Sequence, residues 1–237
     1  MERLDNRSAE RQGIVCGSSG SSLLPVDRSL HDQRVLMRTK FTAIVPPRNA
    51  PTAVEPAQPG RTQAECARLR DGRDVRIRLS CSGDLDALRA FFAALSPETL
   101  RLRFLFPVRE VRESTLREFT ITDDRTHVAL VAEPWNAAAG QVTNLIGEAR
   151  YFRIGDSDSA ELALVVADGW RRVGLGTLLM GALLRHARFA ALRCLCGDAL
   201  AENTAIQGLL RSFGARIRSH PGSNTVQLCV EITRTGT

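Results

Sequence analysis

The chain has 237 residues, 43% of them hydrophobic, enough for one ordinary domain with additional segments. No apolar run approaches the ~18 residues of a membrane helix, and Met1–Asp5 lacks the charged-then-apolar order of a signal peptide, so a cytoplasmic protein with no membrane partner is expected. The net charge of +6 comes almost wholly from arginine, Lys40 being the one lysine, yet the arginines alternate with acids and only one Tyr and two Trp accompany them, which argues against a nucleic-acid partner.

Residues 1–68 read as a disordered or linker extension. Gly17–Ser22 is a Gly/Ser run, and Pro46, Pro47, Pro51, Pro56 and Pro59 crowd a short interval. Arg34–Val45 has some β-forming character but is too isolated to build a core, so no complete regulatory domain is expected there. Residues 69–237 form the expected domain. Val75, Ile77 and Leu79 alternate with Arg76 and Arg78 as in a half-buried first strand. Leu85, Leu88, Phe92 and Leu95 then recur at spacings of three and four, which predicts a helix over 84–95 with one face on a sheet. Ser96-Pro97-Glu98 restarts a helix with Ser96 as N-cap and Pro97 at the first helical position; it carries Leu100, Arg103 and Phe104 and continues brokenly to Phe119.

Three strands of a meander follow, at 127–132, 142–153 and 160–167, with Asp123-Asp124, 134–140 and 155–159 as turns. The remainder reads as helix 175–190, strand 191–197, helix 203–213 and a strand pair at 215–219 and 225–232. The expected fold is therefore α/β, a mixed sheet with helices on both faces. The six cysteines, Cys16, Cys66, Cys81, Cys194, Cys196 and Cys229, have neither metal-ligand spacing nor an obvious pairing, and Cys194 and Cys196 share one strand face as expected core residues. His127 and His186 have no partner that suggests a triad and read as packing or surface residues. No metal site is expected.

The chemistry is expected at 159–177, where an apolar strand, a short turn and a glycine-bearing loop open a helix. Arg171, Gly174 and Gly176 form R-x-x-G-x-G, and free amide N–H groups at such a helix start, with Arg171 and Arg172 at its mouth, suit an anion such as pyrophosphate. Glycine lets the backbone approach a phosphate and adopt positive φ. The loop is neither a Walker loop nor the dinucleotide G-x-G-x-x-G. It resembles the acetyl-CoA loop of the GNAT acyltransferases.

That resemblance covers roughly Arg70–Ile232. Leu69–Arg78, Phe91–Leu100 with Arg103-Phe104, Gly147–Tyr151 and Ala160-Glu-Leu-Ala163 are similar to the bacterial protein lysine acetyltransferases that silence acyl-CoA synthetases. Asn203 followed by Leu209-Leu210 and Phe213-Gly214-Ala215 is similar to the closing helix of that family. The resemblance implies a GNAT fold, with a mostly antiparallel mixed sheet, and acetyl-CoA as co-substrate. It places the cofactor on Val165, Val166, Arg171, Arg172, Val173, Gly174, Leu175, Gly176, Thr177 and Asn203, the last beside the pantetheine. It further implies a protein partner with an exposed lysine, such as an acyl-CoA synthetase.

An ε-ammonium with a pKa near ~10.4 cannot attack until it loses a proton. Glu161 is the expected base: it interrupts an apolar strand, shares a face with Ala163 and Val165, and matches the family's glutamate in Ala-Glu-Leu-Ala. A carboxylate among apolar neighbours holds a proton more readily than one in water, which suits that task. Glu148, on the preceding strand, is the rival, although a surface position near a turn explains it as well. The resemblance assigns the oxyanion donor to the Val166 amide. Where many relatives place a tyrosine acid the chain has Leu210, and Tyr151, its one tyrosine, reads as structural. Arg172 and Val173 stand where many relatives have glycine and a basic residue. A small-molecule amine acetyltransferase and a non-catalytic acyl-CoA-binding regulator are the alternatives.

Overall fold

The computed structural model describes residues 64–123, 125–135 and 144–233. Residues 1–63 of the expected extension, with Lys40, lie outside the described residues, as do Asp124 and most of the 134–140 turn. The elements are β1 (Glu65–Arg68), β2 (Asp74–Leu79), α1 (Leu85–Ala94), α2 (Pro97–Phe104), α3 (Glu113–Glu118), β3 (His127–Pro134), β4 (Gly147–Arg153), β5 (Ser159–Val166), α4 (Leu175–Phe189), β6 (Cys194–Leu200), α5 (Thr204–Arg211), β7 (Arg216–Ser219) and β8 (Thr225–Glu231). They build one eight-stranded sheet in the order β1-β2-β3-β4-β5-β6-β8-β7, antiparallel except between β5 and β6.

Strand alternation sorts the sheet's two faces. Val128, Leu130, Ala149, Tyr151 and Leu162 pack with α4 in one cluster, and Val131 and Val165 pack under α1 to α3 in the other. Helix α4 earns its central place by composition, since Leu175, Leu179, Met180, Leu183 and Ala187 form an apolar stripe fully shut from solvent. At α2 the expected cap is present: the Ser96 hydroxyl accepts from the Thr99 amide at 3.2 Å and Pro97 opens the helix. Such a cap contributes about 1 kcal/mol. Leu105, in the left-handed region at φ 68°, ends the helix, and the segment restarts only at α3. Asp123 forms a turn by accepting from the amides of Arg125, Thr126 and His127.

Three expectations are corrected. The last four residues of the expected linker are β1, which exists because a turn around Gly72 folds it onto β2, with Arg68 and Asp74 paired at 2.8 Å. The strand expected at 191–197 begins at Cys194, because Ala191 is left-handed at φ 55° and the chain must turn before it extends. Finally, Cys196 and Cys229 are partners: they lie opposite each other on β6 and β8 with Cα atoms 4.1 Å apart, joined by a disulfide. A 33-residue separation hides that pairing, since only the strand register brings the two together. Cys194 shares their face as expected, but this end of the face is half-buried rather than core.

Candidate active site

The site begins where two parallel strands part. β5 and β6 pair only over Ser159↔Cys194, Ala160↔Leu195 and Glu161↔Cys196, so beyond Glu161 they open as a V. Gly197, the next residue of β6, is needed there: a Cβ would lie 2.8 Å from the Leu162 carbonyl oxygen. Ala167 donates its amide to Ile146 O on the β4 side at 2.9 Å. By strand alternation the amides of Leu164 and Val166 then point the other way, into the opening. A cavity of about 1700 Å³ fills the V and continues toward α2 and the β7–β8 turn.

The glycine-bearing loop closes one end of this cavity. After the turn Asp168–Trp170 the chain reaches Gly174, which caps α4 at φ 102°, a conformation that favours glycine. The first backbone bond of α4 runs from Leu178 N to Gly174 O, so the amides of Leu175, Gly176 and Thr177 are left for a ligand. Gly176 lies against α5, where a Cβ would come within 3.2 Å of Leu209. Arg172 occupies the left-handed region at φ 62°. An arginine in that conformation carries strain of about 1 kcal/mol.

Arg171 is held at the cavity mouth by Asp168 at 3.2 Å and by the Thr99 hydroxyl. Asp168 in turn accepts from Thr99 Oγ1 at 2.6 Å and from the Ser96 amide at 3.0 Å, tying the loop to the start of α2. Partial burial works against its charge, but the Thr99 and Ser96 donors and Arg171 hold its carboxyl below the usual range. On the other side, the backbone of Arg70 donates to Val173 O at 3.1 Å, bringing the β1–β2 turn to the loop. Asn203 caps α5 with its carbonyl oxygen on the Ile206 amide at 3.2 Å, so its NH₂ end is what it can offer a ligand.

Glu161, Val165, Val166, Arg171, Arg172, Gly174, Gly176, Thr177 and Asn203 all line the cavity. Val173 and Leu175 do not. The Leu175 side chain is fully buried in the core and Val173 packs against that core, so only their backbones face the loop. Leu210 lines the cavity with an apolar side chain.

Glu161 is half-buried at the last paired position of the V. Its surroundings are not only apolar, because the buried guanidinium of Arg103, reaching in from α2, is within electrostatic range of it and of Glu148. Desolvation pushes Arg103 down in pKa, while the two glutamates oppose that shift. Glu148 is not at the surface: it is fully buried, 2.6 Å from Arg150 Nε and 3.7 Å from Arg103 Nη2, and is not among the cavity-lining residues. Burial lowers Arg150 to about 10 and, with Arg150 adding repulsion, His127 to about 4, so His127 is a neutral packing residue. Tyr151 and His186 are likewise buried in the fold. Among the described residues no His, Cys, Asp and Glu side chains gather as a metal site, and no helix is long and apolar enough to cross a membrane.

Sequence reasoning missed Asp198 and His220, which also line the cavity and meet at 3.4 Å, and it gave Arg103 no role. A strand turn brings His220 to β6, and no local pattern announces that meeting.

An apolar V with free strand amides, ended by a cation-bearing helix start and holding a carboxylate at its apex, defines an acyl-CoA-dependent transferase fold. The chain belongs to the GNAT acetyltransferases: residues 74–216 match the model of the acetyltransferase (GNAT) domain. It is 29% identical to an acetyltransferase of Pseudomonas aeruginosa over 66% of this chain and 83% of that one. It is 28% identical to the acetyltransferase Pat of Mycolicibacterium smegmatis over 62% of this chain, but spans only 43% of that longer protein. The solved GNAT domain of S. lividans PAT superposes with a TM-score of 0.64 at 24% identity, over 71% of this chain and 96% of that domain, and so shares the fold. The chain is thus an N-acetyltransferase, of a family that uses acetyl-CoA to acetylate amines.

Proposed function

We propose that this enzyme transfers the acetyl group of acetyl-CoA to the side-chain amine of a protein lysine, with Glu161 as general base and an acyl-CoA synthetase as the class of protein acted upon. The reading rests chiefly on Glu161: it lines the cavity at the residue where β5 and β6 separate, the point at which an acceptor crossing from the α2 side meets a thioester lying in the V. The diphosphate of the co-substrate would lie on the amides of Leu175, Gly176 and Thr177 with Arg171 and Arg172, and its pantetheine along Val165, Val166 and Asn203. These residues suit it, being apolar walls, free amides and cations in that order along one cavity.

Glu161, directly or through one water, takes a proton from the ammonium; the neutral amine then attacks the thioester carbonyl to form the new C–N bond, and its nitrogen loses a second proton to water as the tetrahedral intermediate collapses. The amide of Val166 faces the opening and is the assigned donor to the developing oxyanion. Collapse breaks the C–S bond and releases coenzyme A as thiolate, which water protonates, since Leu210 offers no hydroxyl. The test is thiol release from acetyl-CoA with purified acyl-CoA synthetases and with small amines offered in parallel. Release on a synthetase, with acetyl-lysine found by mass spectrometry, is expected. Release with small amines alone overturns the protein substrate, and acetyl-CoA binding without release on any acceptor leaves a regulator instead of an enzyme.

A further inference from the structure

The acceptor end of the cavity has a charge pattern that Glu161 alone does not explain. The whole cavity is lined by five arginines, of which Arg70, Arg171 and Arg172 belong to the glycine-loop end, and by two carboxylates, Glu161 and Asp198. These two stand on the two strands of the V. Glu161 is opposite Cys196, so Asp198, two residues on, projects from the same face of the sheet. Strand rise and strand spacing together put their Cα atoms roughly 8 Å apart before the splay adds to it. Cys196, in register with Glu161, is joined to Cys229 by a disulfide that ties β6, the strand that carries Asp198, to β8.

The two carboxylates differ in their partners. Glu161 has the buried cation Arg103 in range, whereas the partner of Asp198 is the His220 imidazole at 3.4 Å, with both side chains 42% exposed at the cavity rim. Carboxylate oxygens have room for more donors than one imidazole N–H supplies. Glu161 handles the nitrogen that reacts. Asp198 stands two residues further along the same face.

Resting on the acetyltransferase reading above, we propose that Asp198, steadied by His220, is a specificity residue that pairs with a second positive charge on the acceptor. The preferred substrate is then a lysine with a basic side chain close by, not an isolated lysine. The observations that carry this are the shared sheet face, the two-residue offset from the Glu161 register and the meeting of Asp198 with His220 inside the same cavity.

The test compares three short peptides, each with one lysine, differing only two positions on, where they carry arginine, glutamine or glutamate. Wild-type enzyme is expected to use the arginine peptide on the order of five- to tenfold better in kcat/KM than the glutamine peptide, the scale of one partly exposed charged pair. In Asp198→Asn that preference should vanish, the ratio of kcat/KM between the arginine and glutamine peptides falling to about one. Asp198→Lys should favour the glutamate peptide. Equal use of the arginine and glutamine peptides by the wild type, or an undiminished preference in folded Asp198→Asn, overturns the inference while leaving acetyl transfer standing. Failure to acetylate any peptide or amine removes the acetyltransferase reading and this inference with it.

Discussion

Glu161→Gln is expected to lower kcat at least ~100-fold, the usual scale for a general base, while leaving the Kd for acetyl-CoA nearly unchanged. The amide keeps the size and shape of the side chain, so the walls of the V and the opening between Glu161↔Cys196 and Gly197 are preserved. What it loses is the ability to take a proton from an amine that is almost wholly ammonium at neutral pH. The phosphate end is built from separate parts, the start of α4 and the loop fixed by Asp168 and Thr99. A split between turnover and binding separates a base from a residue that merely shapes the pocket. Undiminished turnover in the variant would remove Glu161 from the mechanism.

Glu148→Gln has the other large effect, and on a different property. Glu148 is the anion that two buried arginines share, at 2.6 Å from Arg150 and 3.7 Å from Arg103. Arg150 also stacks on Phe119, its guanidinium carbon 2.9 Å from the ring centre, and cannot swing out to water without emptying that contact. Removing one member of a buried ionic group leaves uncompensated charge and costs about 3–5 kcal/mol. For a domain of this size the midpoint of thermal unfolding should fall by on the order of 10 °C. Because Glu148 is not among the cavity-lining residues, whatever fraction stays folded should turn over at near the wild-type rate. If instead the variant kept its stability and lost turnover, the roles of the two glutamates would have to be exchanged.

These two residues also mark what the sequence reveals. The apolar stripe of α4, the alternation of β2 and the Ser96-Pro97 start of α2 are local patterns, and each appears in the structure within a residue or two of its expected place. Most of the loop and strand residues assigned to the co-substrate meet in one cavity, because they are nearly contiguous and the turn that gathers them is written in Gly174 and Gly176. Glu148 was ambiguous for a physical reason. A polar residue alternating with Gly147 and Ala149 marks a face distinct from the apolar one, but alternation does not distinguish water from a layer of buried ion pairs under Phe104 and Phe119.

The features missed altogether depend on register between distant strands. β1 has four residues and no pattern of its own, and exists only through its pairing with β2. The Cys196–Cys229 bridge and the meeting of Asp198 with His220 both follow from the β6–β8 ladder and the turn beyond β7. Arg103 was visible in a family-like stretch, but its burial between two glutamates requires α2 to lie across β4 and β5.

The most direct measurement is a calorimetric titration of the purified chain with acetyl-CoA. Saturable binding of one molecule per chain, weakened as salt rises because cations and helix amides receive the diphosphate, is the predicted result. An absence of binding at any attainable concentration would mean that the loop with Arg172 in a left-handed conformation no longer holds the co-substrate, and the assignment of this cavity to acetyl transfer would be wrong.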